Sequence, residues 1–140
     1  MPVEERLEKI GTLRPLLAQL SPQIMDLPDQ ELAQRLSHHG LSLIVAEVDG
    51  SIVGAASLSE MTTLGLGRIG HVDDVVVDQP SRGHGVGRSL MLALHAEAQR
   101  LGLRLLDLTS RPERESANVL YQSLGYQHRP TNAYRLRLQP

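Results

Sequence analysis

The sequence predicts a mixed α/β layer protein, and three features carry that prediction. Two strand-like runs, residues 43–48 and 52–57, flank Asp49-Gly50, a pair that favours a tight antiparallel hairpin. A third run, residues 71–77, ends in three valines and passes through a glycine-rich turn into a helical pattern. Another strand and another helix follow, so a crossover over residues 71–108 brings two strands parallel.

Taken in order, residues 3–20 support two readings. Residues 3–7 fit a short first strand, whereas Leu13, Leu16, Leu17 and Leu20 have helical spacing. Pro15 suits the first turn of a helix better than its middle. From Asp26 a helix is expected, with Leu32, Ala33 and Leu36 on one face and Gly40 beyond its end. The hairpin comes next, then a glycine-containing loop at 61–67. The third strand leads into a helix from about Gly85 to Leu101, with Val86, Leu90, Leu94 and Leu101 on its inner side. Residues 103–108 are expected as a strand. Ser110-Arg111-Pro112-Glu113 has the pattern of a capping box opening a last helix. Ala117, Leu120, Tyr121 and Leu124 form its stripe, and Gly125 closes it. Residues 126–129 and 134–138 are expected as a final hairpin, Tyr134, Leu136 and Leu138 alternating with Arg135 and Arg137.

A length of 140 residues suits one domain, and no repeat, low-complexity tract or linker divides residues 1–140. Aromatic residues make up only 2%, with no Phe or Trp, so Leu, Val, Ile and Ala must fill the core. Stacking platforms for single-stranded nucleic acid are correspondingly scarce. A net charge of −2 gives no general attraction to a phosphate backbone, so nucleic acid is not an expected partner. The absence of Cys excludes disulfides, thiolate metal sites and a cysteine nucleophile. The opening stretch MPVEERLEKIG is charged where a signal peptide needs an apolar run. No stretch approaches the roughly 20 apolar residues of a membrane span. The expectation is a cytoplasmic protein with no membrane partner.

Chemistry is expected where the buried strand hands over to a helix through Arg82-Gly83-His84-Gly85-Val86-Gly87-Arg88. Alternate glycines let a ligand approach the backbone, and the N–H groups at a helix start favour phosphate. Arg82 and Arg88 add charge on either side. A tight strand-to-helix connection would use glycines too, so the ligand reading needs a second signal. A P-loop requires four residues between its glycines and then Lys; here three intervene and Arg88 follows. A dinucleotide fingerprint requires its third glycine at position 88, although Asp107 does fall at the distance of a ribose-binding acid.

The segment HVDDVVVDQPSRGHGVGR, residues 71–88, resembles the central acetyl-CoA motif of the GNAT superfamily of N-acetyltransferases, whose core is [QR]-x-x-G-x-[GA]. A second motif of that family appears as Asn118, Tyr121, Leu124, Gly125 and Tyr126. Both are in order, with a helix and a strand between them, and the resemblance covers residues 43–138. It implies a mixed, mostly antiparallel twisted sheet with a central parallel pair of splayed strands and flanking helices. It implies pantetheine lying along Val75, Val76 and Val77, and pyrophosphate on the amides from Gly83 to Arg88. Asn118 would touch the cosubstrate, and Tyr121 would stand near its sulfur. The implied activity is acetyl transfer from acetyl-CoA to an amine by direct attack in a ternary complex. The rival is an acyl-CoA-binding sensor with the same fold and no turnover. The residues HVDDVVVD resemble the hexosamine-phosphate members of the family, but leave the acceptor open among small amines, amino acids, aminosugars and protein amines.

Acylating an amine requires a proton acceptor, and His71, Asp73 and Asp74 are the candidates. Strand alternation places His71 and Asp73 on one face and Asp74 on the other, which puts Asp73 ahead. Either acid has a plain alternative as a solvated or loop-capping side chain. No third ligand is placed beside His71, so no metal is expected. A core position explains Tyr121 equally well by pattern, but Asn118 one turn earlier on the same face favours a shared ligand. An exposed final hairpin would give a homodimer a surface.

Overall fold

The computed structural model describes the backbone of residues 3–140 and the side chains from Ile10 onward. Met1 and Pro2, at the start of the charged opening stretch, lie outside the described residues. The chain forms two compact units, residues 1–109 and 110–140.

The larger unit begins with helix α1 (Val3–Ala18), so the strand reading of residues 3–7 gives way to helix. The helix runs straight through Pro15, against expectation. A proline inside a helix costs about 3 kcal/mol. Ile10, Leu13, Leu16 and Leu17 are all buried, and each contributes roughly 1.5–3 kcal/mol, which outweighs that cost. A 3-10 turn at Pro22–Asp26 leads to helix α2 (Asp29–Leu36), whose first turn carries Asp29 and Glu31 at the positive end of the helix dipole. Leu32, Ala33 and Leu36 are its buried stripe, as the spacing predicts.

Four strands follow in the order β1 (Leu41–Val48), β2 (Ser51–Thr63), β3 (Gly67–Val77) and β4 (Leu106–Leu108). The first two pairs are antiparallel and β3–β4 is parallel, which matches the predicted class. Asp49 and Gly50 both have positive φ, the backbone a two-residue hairpin turn requires. The expected loop at 61–67 is far shorter, because β2 and β3 continue pairing to Thr63↔Gly67. The parallel pair occupies the sheet's edge, since the expected final hairpin forms no strand.

Helix α3 (Val86–Arg100) buries Leu90, Met91, Leu94 and Ala98. Gly54 sets how closely it sits: a Cβ there would stand 2.9 Å from Leu90 Cδ1 and 3.1 Å from Val86 Cγ1. Adjacent strand residues face opposite ways, and Ala55 belongs to the core shared with α1 and α2. Helices therefore cover both faces of the sheet.

The smaller unit holds helix α4 (Glu115–Ser123) and a tail without regular structure. The expected capping box does not form. The helix starts at Glu115, behind a turn closed by Arg114 N–H on the Arg111 carbonyl at 3.1 Å, and its cap position is Arg114. The residue before a proline disfavours helical backbone, which holds Arg111 out of the helix. The Ser110 hydroxyl is instead buried without a hydrogen-bond partner among the described residues. Gly125 follows the helix with φ 98°, as the sequence predicts. Tyr134, Leu136 and Leu138 are 91%, 83% and 88% exposed, so their alternation finds no partner strand.

Candidate active site

The glycine turn sits at the N-terminus of α3. Gly85 is the cap residue in left-handed backbone, φ 80° and ψ 9°, and no side chain caps the helix. The first backbone bond runs from Ser89 N–H to the Gly85 carbonyl at 3.0 Å. The N–H groups of Val86 and Gly87 thus precede the first helical donor, Ser89 N–H, and point out of the helix start. A Cβ built on Gly83 or Gly85 would meet nothing within 4 Å, so the turn is open to an approaching anion. His84 and Arg88 are exposed beside it, and Val86 is half-buried. Arg82 makes two contacts within the fold. Its Nε donates to the Val77 carbonyl at 2.9 Å and its Nη2 to Gln19 Oε1 at 3.3 Å, bracing the turn against the end of β3.

The strand behind the turn outruns its parallel partner, which ends at Leu108. Pairing of β3 with β4 spans only Gly70↔Leu106 to Val72↔Leu108, and β3 continues five residues further. Val75 and Val76 are buried and Val77 half-buried along that extension.

A bulge interrupts β3 between those segments. Ala55 pairs with Val76 and Ser57 with Asp73, so Asp74 and Val75 together oppose the single residue Ala56. Asp74 takes φ 51°, and simple alternation fails there. The sequence places Asp74 on the face opposite Asp73. The bulge brings its carboxylate to the Ser57 hydroxyl at 3.0 Å, the residue standing across from Asp73. His71 Nδ1 and Asp73 Oδ2 lie 3.1 Å apart, as their shared face predicts. Among the described residues no group of three or more His, Cys, Asp or Glu side chains is placed to hold a metal ion.

A cavity of about 200 Å³ lies between α1, the 3-10 turn, α2 and the sheet, with Ser57 and Asp74 in its wall. The sequence reading missed it, and missed Arg14, which builds it. Arg14 Nη1 donates to the carbonyls of Ile24 and Leu27, each at 2.7 Å, and so fastens the loop that forms one side. Buried Ser57, only 3% exposed, was missed as well; a polar residue at an inward strand position was the available signal.

In the smaller unit, Tyr121 is buried and its ring meets that of Tyr126 edge-on, with centroids 6.0 Å apart. Burial raises the Tyr121 pKa, opposed by the charge of Arg114 and a hydrogen bond from its guanidinium. That donation uses the phenol oxygen and leaves the phenol hydrogen available. Asn118 Nδ2 donates to the Arg111 carbonyl at 3.0 Å, so the motif asparagine holds the turn before α4.

The chain is similar to known proteins in sequence and fold. A glucosamine 6-phosphate N-acetyltransferase from Trypanosoma brucei brucei is 37% identical over 79 residues, covering 55% of this chain and 52% of that protein. The chain thus spans about half the length of that curated relative. The crystal structure of a Trypanosoma brucei acetyltransferase superposes with a TM-score of 0.78 at 27% identity, covering 94% of each chain. A ribosomal-protein-alanine N-acetyltransferase from Brucella melitensis biovar Abortus 2308 gives 0.76 at 25%, covering 94% of this chain and 95% of its own. Residues 12–126 match the acetyltransferase (GNAT) family. That match begins inside α1 and takes in every strand, the glycine turn and the Tyr121 helix, and the chain therefore belongs to the acetyltransferase (GNAT) family.

Proposed function

We propose that residues 1–140 act as one acetyltransferase domain that moves the acetyl group of acetyl-CoA onto a primary amine. The observation that carries this reading is the left-handed Gly85 cap, open to solvent, at the start of α3. A helix start whose N–H groups have no side-chain cap is a ready anion site. Val86, Gly87 and Arg88 would receive the pyrophosphate, with Gly83 and His84 beside them and Arg82 holding the turn's shape. Acetyl-CoA supplies an acyl group on a good leaving sulfur.

The chain's own residues manage two protons. The His71–Asp73 pair accepts one from the ammonium, the carboxylate orienting the imidazole through Nδ1. The freed amine forms the C–N bond as the C–S bond breaks, and the sulfur leaves with the electron pair. Tyr121 gives the sulfur its proton and is reprotonated, through water, by the second proton that the nitrogen sheds as the amide forms. Asn118 keeps the start of α4 in place for that transfer. Two of the relatives named above are N-acetyltransferases by name, which supports amine acylation.

The test is thiol release from acetyl-CoA with glucosamine 6-phosphate, an alanine-ended peptide and an alkylamine offered separately. Release that depends on an amine and yields its acetylated form is expected. Tight acetyl-CoA binding without release for any class would identify a sensor instead.

A further inference from the structure

We infer that the acceptor is an apolar primary amine, seated in the cavity between α1, α2 and the sheet with its ammonium on Asp74. This rests on the acetyltransferase reading and assigns the substrate class of that site. Leu17, Ile24, Leu27, Leu32, Leu36 and Leu43 make the lining predominantly aliphatic. Its charged members are Arg35 and Asp74. Arg35 is already bridged to Glu31 one turn back on α2, with Nη2 2.7 Å from Oε1. Asp74 is the anionic member, and the buried Ser57 hydroxyl fixes its Oδ2 at 3.0 Å. Among the described residues that hydroxyl is the carboxylate's hydrogen-bond partner, which leaves Oδ1 to receive an N–H of the ammonium.

Size and polarity select in the same direction. At about 200 Å³ the cavity falls below the roughly 300–1,000 Å³ of sites for drug-sized ligands, so the acceptor is small. An aminosugar phosphate would press most of its hydroxyls against aliphatic side chains, with Ser21, Gln23 and Ser57 as the neutral polar residues in the lining. It would also bring a phosphate to a wall whose cation is bridged and whose acid repels it. An alkyl or aryl-alkyl monoamine meets complementary chemistry at both ends.

The experiment measures kcat/KM at saturating acetyl-CoA for a series of straight-chain alkylamines, for phenethylamine and for glucosamine 6-phosphate. The expected result is a rise of about two- to fourfold per methylene until the cavity is full. Phenethylamine should exceed glucosamine 6-phosphate by at least about tenfold. Asp74→Asn should raise the amine KM at least about tenfold while acetyl-CoA affinity is kept. Asn tolerates the left-handed backbone at this position, so the bulge survives the change. A preference for glucosamine 6-phosphate, or no chain-length trend, overturns the apolar acceptor and leaves the acetyltransferase reading standing. An unchanged KM in Asp74→Asn overturns the ammonium site. Failure to bind acetyl-CoA at all overturns the acetyltransferase reading and the acceptor with it.

Discussion

The Ser57 hydroxyl donates to Asp74 Oδ2 across a bulge, tying a residue buried in β2 to one that lines the cavity wall. The bond holds a carboxylate whose backbone lies outside the ordinary strand region. Ser57→Ala keeps the size of the side chain and removes the donor. Loss of one such bond costs about 1 kcal/mol, so melting should fall by a few degrees. The amine KM should rise about three- to tenfold with acetyl-CoA affinity unchanged, as read by steady-state kinetics and calorimetry.

Gly54 links the sheet to the glycine turn. Its missing Cβ lets Val86 and Leu90 sit against β2, and the Val76 carbonyl is only 3.2 Å from where that Cβ would be. Gly54→Ala should cost about 1–3 kcal/mol through overpacking. Because Val86 opens α3, the shift should also weaken acetyl-CoA binding several-fold. A thermal melt beside a calorimetric titration separates the two effects.

Alkaline titration examines the tyrosine pair. Burial, reinforced by the neighbouring Tyr121, pushes the Tyr126 pKa from 10.0 up to about 12. A pKa raised by folding gives stability that is complete below the unfolded value and lost as pH rises through the folded one. Melting temperature should therefore decline between pH 10.0 and about 12, and Tyr126→Phe should flatten that decline. Phenolate absorbance should lose its step near 12 in the same variant.

Tyr121→Phe removes a hydroxyl and keeps the ring edge against Tyr126. A positioned acid is worth about 10²–10⁴ in rate, so kcat should fall by that factor with acetyl-CoA affinity little changed. The partner Arg114 loses a hydrogen bond, which limits the stability cost to about 1 kcal/mol. A large melting loss with kcat retained per folded molecule would make the hydroxyl a structural group.

The parts of this fold that were legible in the sequence are those set by local chemistry. Asp49-Gly50 announced its turn through backbone preference, and Gly85 announced the helix start in the same way. The three valines announced a buried strand end. The bulge at Asp74 was illegible, because one extra residue leaves no mark on an apolar run and still reverses the facing that follows. Arg14 was hidden for another reason: its partners are backbone carbonyls 10 and 13 residues away, which carry no residue code. Pro15 misled because burial of its neighbours outweighed its own preference. Leu136 and Leu138 misled because alternation states a strand's faces and says nothing of whether an edge is present to receive it.

Calorimetric titration of acetyl-CoA into the native chain and into Gly85→Val asks whether the start of α3 holds the pyrophosphate. The cap residue has φ 80° with open space around it, so a β-branched side chain meets no neighbour but strains the backbone. The variant should stay folded, losing about 1–2 kcal/mol of stability. The native chain should bind acetyl-CoA, and the variant should bind it at least about tenfold more weakly, a loss of about 1.4 kcal/mol. Equal affinity in a folded Gly85→Val would contradict the account, because the pyrophosphate would then lie somewhere other than the start of α3.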